Sequence, residues 1–395
     1  MRRGLGIGRE DEEDWMTRAR IGLLSMCVLA AAGSAAAQGK SQGWDVSVDA
    51  LNVLTRGNDV HAGDIFTESQ TASGTALNSR LDYGVTYDPI VTRMNDGISG
   101  LIAASYHSST WGFGGRGWRV VTNGGMSGSA RTAAPTASTG SITGVRMWDQ
   151  SLVPVENDFE SSGFSPVTYH ASNRLRNTRV DGFAERRWIS TSSLHVGLRF
   201  GLAYARFENS RSEGHEESAA FADTTTLPGS TIYFTNDITI EMDTKATMDL
   251  AGPSFGLAGD ASYRRLRVDW LVNPAVMFGT AKTTGSWIDT DNISQVTTTG
   301  SNSVPSTDLL HGVIPIDLEE RSVIPSLDLQ LKASVRVAGP FRVGVGLFTS
   351  SWFNVPMAPA MSVPGRWTDL DGTGWRNESR DLTFLSYSGF VALGF

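Results

Sequence analysis

Apolar and polar residues alternate with a period of two in one segment of this chain after another. At the carboxy terminus Phe395, Leu393, Val391, Tyr387 and Leu385 share one parity, and Gly394, Ala392, Phe390, Ser388 and Ser386 share the other. Successive side chains of a strand point to opposite faces, so this segment shows a greasy face to one medium and a smaller, more polar face to another. Leu194, Val196, Leu198, Phe200, Leu202 and Tyr204 repeat the pattern against His195, Gly197, Arg199 and Gly201. Leu266, Val268, Trp270, Val272, Val276 and Phe278 share a face, as do Leu327, Leu329, Leu331, Ala333, Val335 and Val337, and Phe341, Val343, Val345 and Leu347. Trp44, Val46, Val48 and Ala50 oppose Asp45, Ser47 and Asp49, and Ile98, Ile102, Ala104 and Tyr106 alternate with Ser105 and His107.

With weaker strands at residues 111–121, 178–189 and 247–263, the last broken at Gly252-Pro253, the pattern predicts ten strands. Their connections alternate strictly between short and long. The links near residues 108–110, 190–193, 264–265 and 338–340 are tight. Those at 57–96, 123–177, 207–246, 281–321 and 356–381 are long and rich in Ser, Thr, Gly and Asp. Such asymmetry predicts an all-β fold: a transmembrane antiparallel up-and-down β-barrel with short periplasmic turns, long extracellular loops and both termini on the periplasmic side. Apolar stretches at 81–90 and 144–148 leave twelve strands as the alternative.

The longest apolar run, residues 21–37, follows Arg18 and Arg20 and ends in Ala35-Ala36-Ala37. A basic start, a short apolar core and a small-residue end describe a secretory signal peptide cleaved after Ala37. The acidic cluster at residues 10–14 is foreign to such a leader, so translation is expected to start at Met16. Removing residues 1–37, with five Arg and five acidic residues, leaves the net charge at −8. That acidity argues against a nucleic-acid partner. Cys27 is the lone cysteine, so residues 38–395, a single barrel domain, hold no disulfide and no thiolate ligand. No later apolar run approaches the roughly 20 residues of a membrane helix, and a chain that spans lipid without helices must close into a barrel.

Several motifs fail on context. Gly112, Gly114 and Gly117 match G-x-G-x-x-G but fall inside a strand, whereas a dinucleotide fingerprint opens a helix. His215-Glu216 has Ala219 where a second zinc ligand belongs, and the Asp369-Asp371-Gly372 run has Arg380 where a calcium loop ends in Glu. Gly125 to Ser129 lacks the second glycine of a nucleophile elbow. The expectation is therefore no enzyme, no cofactor and no metal, with His170, His215 and His311 as solvated residues of the outer loops. On the lumen parity stand Arg187, Arg199, Arg267, Arg336 and Arg342 near the short turns, with Asp181, Glu185, Asp249, Asp260, Asp269, Asp328 and Lys332 placed mostly further up. Two readings stay open for them: a salt-bridge network that stiffens the wall, or a basic constriction that favours anions. Trp44, Trp188, Tyr263 and Phe341 at one end, and Trp287 and Trp352 at the other, fit interfacial girdles.

The final strand ending in Phe395 resembles the closing strand and assembly signal of bacterial outer-membrane β-barrels. That resemblance implies that Tyr387, Val391, Leu393 and Phe395 engage the barrel-assembly machinery. Residues 249–257 (DLAGPSFGL), residues 323–329 (VIPSLDL) with the hairpin running on to 352–355 (WFNV), and the closing strand resemble the Legionella-type family of major outer-membrane, porin-like proteins. The family implies a pore-forming barrel of a Gram-negative outer membrane, with membrane lipid and small solutes or ions as partners. The alternatives are a non-conducting surface barrel whose loops bind a partner and, third, a barrel enzyme with a loop-borne site.

Overall fold

The computed structural model describes residues 43–57, 60–73, 80–95, 97–130, 139–146, 167–191, 193–223, 230–299, 302–359 and 377–394. In chain order the strands are β1 (Gly43–Arg56), β2 (Val60–Ser73), β3 (Arg80–Thr92), β4 (Gly97–His107), β5 (Trp111–Ala130), β6 (Thr139–Arg146) and β7 (Val167–Ser190). They continue as β8 (Leu194–Asp223), β9 (Ser230–Tyr263), β10 (Leu266–Thr299), β11 (Asn302–Ala338), β12 (Phe341–Met357) and β13 (Glu378–Gly394). Ten of them close an antiparallel barrel in the order β1-β13-β12-β11-β10-β9-β8-β7-β5-β4. The last strand meets the first, with Asp45 opposite Gly394 and Arg56 opposite Thr383.

The register fixes the width of the barrel. From Ala50 one path of paired residues runs through Gly100, Arg119, Thr178, Arg206, Asp249 and Thr280 to Arg321 on β11. The opposite path runs through Gly389 and Val345 to Ala333 on the same strand, so the stagger is 333 − 321 = 12 residues. Ten strands with that stagger tilt about 40° and enclose a backbone cylinder about 20 Å across, a width that side chains can fill.

The outward face is apolar below and polar above. Leu202 is 72 % exposed, Val345 66 % and Phe278 53 %. From Leu266 to Phe278 this apolar belt climbs about 30 Å at that tilt. Trp44, Trp188 and Tyr263 stand exposed at the end with the short turns, as the girdle predicts. Trp287 and Trp352 depart from the expectation, because both lie on inward parities and are buried.

The twelve-strand alternative fails for a topological reason. The stretches at 81–90 and 144–148 do enter strands, β3 and β6, but these flank β2 in a separate three-stranded sheet and never join the wall. Two of the supposed long loops are also strand. β8 to β11 run 30 to 37 residues, and β10 stays paired with β11 up to Thr299 opposite Asn302. Crossing a bilayer takes only 9–11 residues, so these strands continue as a tall ribbon beyond the belt. Thr and Ser at period two carry no apolar parity, which is why this ribbon reads as loop. The signal-peptide residues, the Met16 start, Cys27 and Phe395 lie outside the described residues.

Above Ser326, β11 has no described partner on the β12 side. Pro305, Pro315 and Pro325 share one parity there, and a proline cannot donate to a ladder. All three therefore sit where the missing N–H would face the open edge, which blunts that edge against strand addition.

The break foreseen at Gly252-Pro253 is a close approach of β9 to β10. A Cβ on Gly252 would sit 1.9 Å from the Val276 carbonyl oxygen, and between Ala251 and Leu257 the β9–β10 pairing keeps only Ser254 opposite Ala275. Gly252→Val is therefore expected to block closure of the barrel. The check is loss of the heat-modifiable, compact band of the refolded protein on gels, while Gly389→Ala, where a Cβ meets nothing within 4 Å, keeps it.

Candidate functional site in the barrel interior

Inward parities build the interior in layers. At the short-turn end a vestibule of about 120 Å³ is lined by Asp45, Ser105, His107, Glu185, His195, Arg199, Asp260, Arg267, Asp269, Lys332 and Arg342. Its charges are paired. Arg199 Nε donates to Glu185 Oε2 at 2.6 Å, and its guanidinium lies 4.1 Å over the Phe183 ring. Arg267 reaches Asp269 at 2.7 Å, Asp45 at 3.3 Å and Asp260 at 3.4 Å, and Arg342 reaches Asp45 at 2.5 Å. Lys332 Nζ holds Asp49 at 2.7 Å and sits 4.8 Å over the Phe390 ring.

Above the vestibule, ion pairs cross the lumen. Arg116 on β5 pairs with Asp181 at 2.8 Å and with Asp328 on β11. Those two strands are five places apart in a ring of ten, so the pair spans a diameter. Arg179 joins the same carboxylates, at 2.9 Å to Asp181 and 3.2 Å to Asp328, and Ser350 donates to Asp328 at 2.6 Å. These groups are buried, so each charge depends on its partner in place of water.

The next layer is apolar and drawn from all ten barrel strands. Leu51, Leu101, Trp118, Leu175, Phe207, Leu250, Met277, Ile324, Phe348 and Phe384, one from each strand, are buried within one cluster. Trp118 meets Phe348 and Phe384 edge-on at 5.6 and 5.8 Å, and Phe207 meets Trp352 at 4.7 Å. Arg179 lies 5.3 Å from the Trp352 centroid and so ties the charged layer to this one. A polar layer follows. Arg211 on β8 reaches Glu378 on β13 at 3.4 Å, again five strands away, and the chain after β12 crosses over, with Ala358 N donating to Asn209 Oδ1 at 3.1 Å. Burial pulls the Arg211 guanidinium below its ordinary range, with Glu378 and Glu213 acting the other way.

Most of the charged candidates thus meet in three clusters, the vestibule set around Arg267 and Glu185, the Lys332–Asp49 pair and the Arg116–Arg179–Asp181–Asp328 set across the lumen, and carboxylates match the basic groups. Arg336 departs from the expectation: it is exposed at the rim beside the β11–β12 turn. Arg187 also stands near the rim, just before an irregularity in the β7–β8 pairing, and its buried Nε has no hydrogen-bond partner. Asp260 and Asp269 lie low in the vestibule, not further up. Asp249 is not in the lumen, because even positions of β9 face inward; it accepts from the Tyr204 hydroxyl at 2.5 Å on the outer wall. Sequence reading missed Arg116 and Arg179. Glycine-rich β5 hides its parity, and Arg179 differs from its neighbours only in sharing the parity of Asp181 and Glu185.

The structure also gathers histidines that sequence spacing leaves apart. His195 lies 3.2 Å from Glu185 and 3.3 Å from Asp260, and Ser105 Oγ is 2.8 Å from His107 Nε2. Among the described residues no carboxylate is hydrogen-bonded to His107, whose buried Nδ1 has no hydrogen-bond partner, so no nucleophilic triad is assembled among them. His170 is exposed, His311 contacts Thr290 at 2.9 Å, and the His215 side chain lies outside the described residues. Among the described residues no cluster of His, Cys, Asp and Glu has metal-site geometry. On the closing strand Tyr387 and Val391 face outward and exposed, and Leu393 is half-buried.

No family model and no curated protein matches the chain. Solved structures similar to it include the outer-membrane protease OmpT of Escherichia coli, at 10 % identity and a TM-score of 0.43, covering 91 % of this chain and 98 % of that one. The toluene transporter TodX of Pseudomonas putida is similar at 10 % identity and a TM-score of 0.22, covering 89 % of each chain. The transport unit of the autotransporter AIDA-I of Escherichia coli is similar at 6 % and 0.23, covering 91 % of each. The architecture of the present chain rests on its own strand pairing.

Removing Asp328 leaves Arg116 and Arg179 sharing the single carboxylate of Asp181, with one buried positive charge uncompensated. Asp328→Ala is therefore expected to cost about 3–5 kcal/mol, against about 1 kcal/mol or less for Asp269→Ala in the wetter vestibule. Urea unfolding of the refolded barrel in detergent checks the contrast.

Proposed function

We propose that the chain is a barrel of the bacterial outer membrane, exported through the periplasm after signal-peptide cleavage, whose porin-like passage for ions or small solutes is shut at its waist. The exposed apolar belt, about 30 Å tall with aromatic residues at its lower rim, supports membrane insertion. The short turns then face the periplasm and the ribbon faces outward, and the final strand would be the part read by the assembly machinery. The observation that carries the closed state is the layer fed by all ten strands, which lies between the charged vestibule and the ribbon. Ions entering from the vestibule meet paired charges and then an apolar plug, and a dry apolar constriction is a barrier in itself. A basic constriction selective for anions is disfavoured, since each Arg of the vestibule has a carboxylate within 4.0 Å.

The ribbon of β8 to β11 favours a second reading: a non-conducting surface barrel that holds a binding face clear of the membrane. Leu309 and Val313 are exposed on it, 66 % and 52 % respectively.

Planar-bilayer recording of the refolded protein separates the two. The wild type is expected to be silent, and a variant carrying Trp118→Ala, Phe348→Ala and Phe384→Ala is expected to show discrete steps. Steady conductance from the wild type would contradict the shut waist. A folded, inserted variant that stays silent would contradict the passage and leave the surface barrel.

A further inference from the structure

Immediately above the apolar belt the outer wall turns basic on four neighbouring strands. β7 presents Arg174 and Arg176 on its outward parity, β8 presents Arg206, β9 Lys245 and β10 Lys282. The register sets them together: Arg174, Ser210 and Lys245 lie in one row, and Arg176, Glu208, Thr247 and Lys282 in the next. With strands 4.7–4.9 Å apart the patch is about 15 Å across. Two carboxylates lie within it. Glu208 holds Arg176 and Arg206 at 3.0 Å each, and Asp249 lies 4.0 Å from Arg206. With Glu319, which stands directly opposite Lys282 on β11, five basic groups face three acidic ones and leave a local +2 on a chain whose net charge is −8. Asp243, two places above Lys245 on the same parity of β9, bounds the patch.

Two features of this patch point to a ligand. Arg174, Lys245 and Lys282 have no ion-pair partner among the described residues, and the Nε atoms of Arg174 and Arg176 are buried without a hydrogen-bond partner. Directly below, the same strands expose the large apolar side chains of Val180, Leu202 and Phe278. Cations set over a greasy wall match an amphiphile whose head is anionic and whose tails are hydrocarbon. Guanidinium groups chelate phosphate oxygens in a fork, and ammonium groups add point charges.

From this we infer that the patch is a seat for one phosphorylated membrane lipid, phosphates on Arg174, Arg176, Arg206, Lys245 and Lys282 and acyl chains down the wall of β7 to β10. Glu208 and Asp249 hold Arg206 in place between them. The inference rests on the membrane-inserted reading, but not on whether the barrel conducts.

The test is native mass spectrometry of the detergent-refolded chain titrated with bis-phosphorylated lipid A, with phosphatidylcholine and inorganic phosphate as separate arms. The wild type is expected to retain one lipid A in preference to phosphatidylcholine. Arg174→Gln with Lys245→Gln and Lys282→Gln is expected to lose about a hundredfold in affinity, the scale set by removing three cations from an anionic lipid surface. Arg264→Gln with Arg265→Gln, at the opposite end, is expected to leave retention unchanged. Equal retention of the two lipids, no effect of the triple substitution, or displacement of lipid A by millimolar inorganic phosphate would overturn the seat. Insertion into vesicles is scored separately. A chain that fails to insert defeats the membrane reading itself, whereas one that inserts and ignores lipid A defeats only the seat.

Discussion

A ten-stranded cylinder with a stagger of twelve leaves a bore that is too narrow for bulk water and too wide to be left empty, and everything inside this chain answers to that width. Residues on opposite walls come within reach of each other. Arg116 and Asp328 close the bore along one diameter and Arg211 and Glu378 along another. Charges taken out of water on one wall are satisfied from the far wall, so the ion pairs act as struts as well as neutralisers. The apolar layer above them fills the same bore by packing, with Trp118, Phe348 and Phe384 meeting edge to edge.

This inverts the usual division of a globular protein. Outward positions of the belt need only be apolar, so Val, Leu and Phe alternate there with little dependence on neighbours. Inward positions carry the specificity, because each must match something across the bore. The long ribbon above the belt has neither constraint, which accounts for its Thr- and Ser-rich sequence and for the prolines that guard its edge.

The same asymmetry decides what was legible in the sequence. Parity marked the outward apolar face cleanly, and with it the ten barrel strands, the closing strand and the short turns. It marked the inward side of β10, β11 and β12 well enough to place Arg267, Asp328, Lys332 and Arg342. It misled at Trp352 and Trp287, since an aromatic residue on an inward parity looks like a girdle residue until the partner strand is known. It was silent on Arg116 and on the Glu185-His195-Asp260 contact, because strand periodicity says which face a residue takes and nothing about who stands opposite. That information lives in the stagger, which depends on pairing all the way around the ring.

The central claim is that the waist is dry while the vestibule is wet. Cys27 is the lone cysteine, so residues 38–395 carry none and single reporters are simple to place there. The most direct measurement is the labelling rate of Ala103→Cys in the vestibule against Ala205→Cys in the apolar layer, with a small charged thiol reagent on refolded, vesicle-inserted protein. The account predicts rapid labelling at position 103 from the short-turn side and protection at position 205 from both sides. Comparable rates at the two positions would mean that water runs through the bore, and the sealed interior would be wrong.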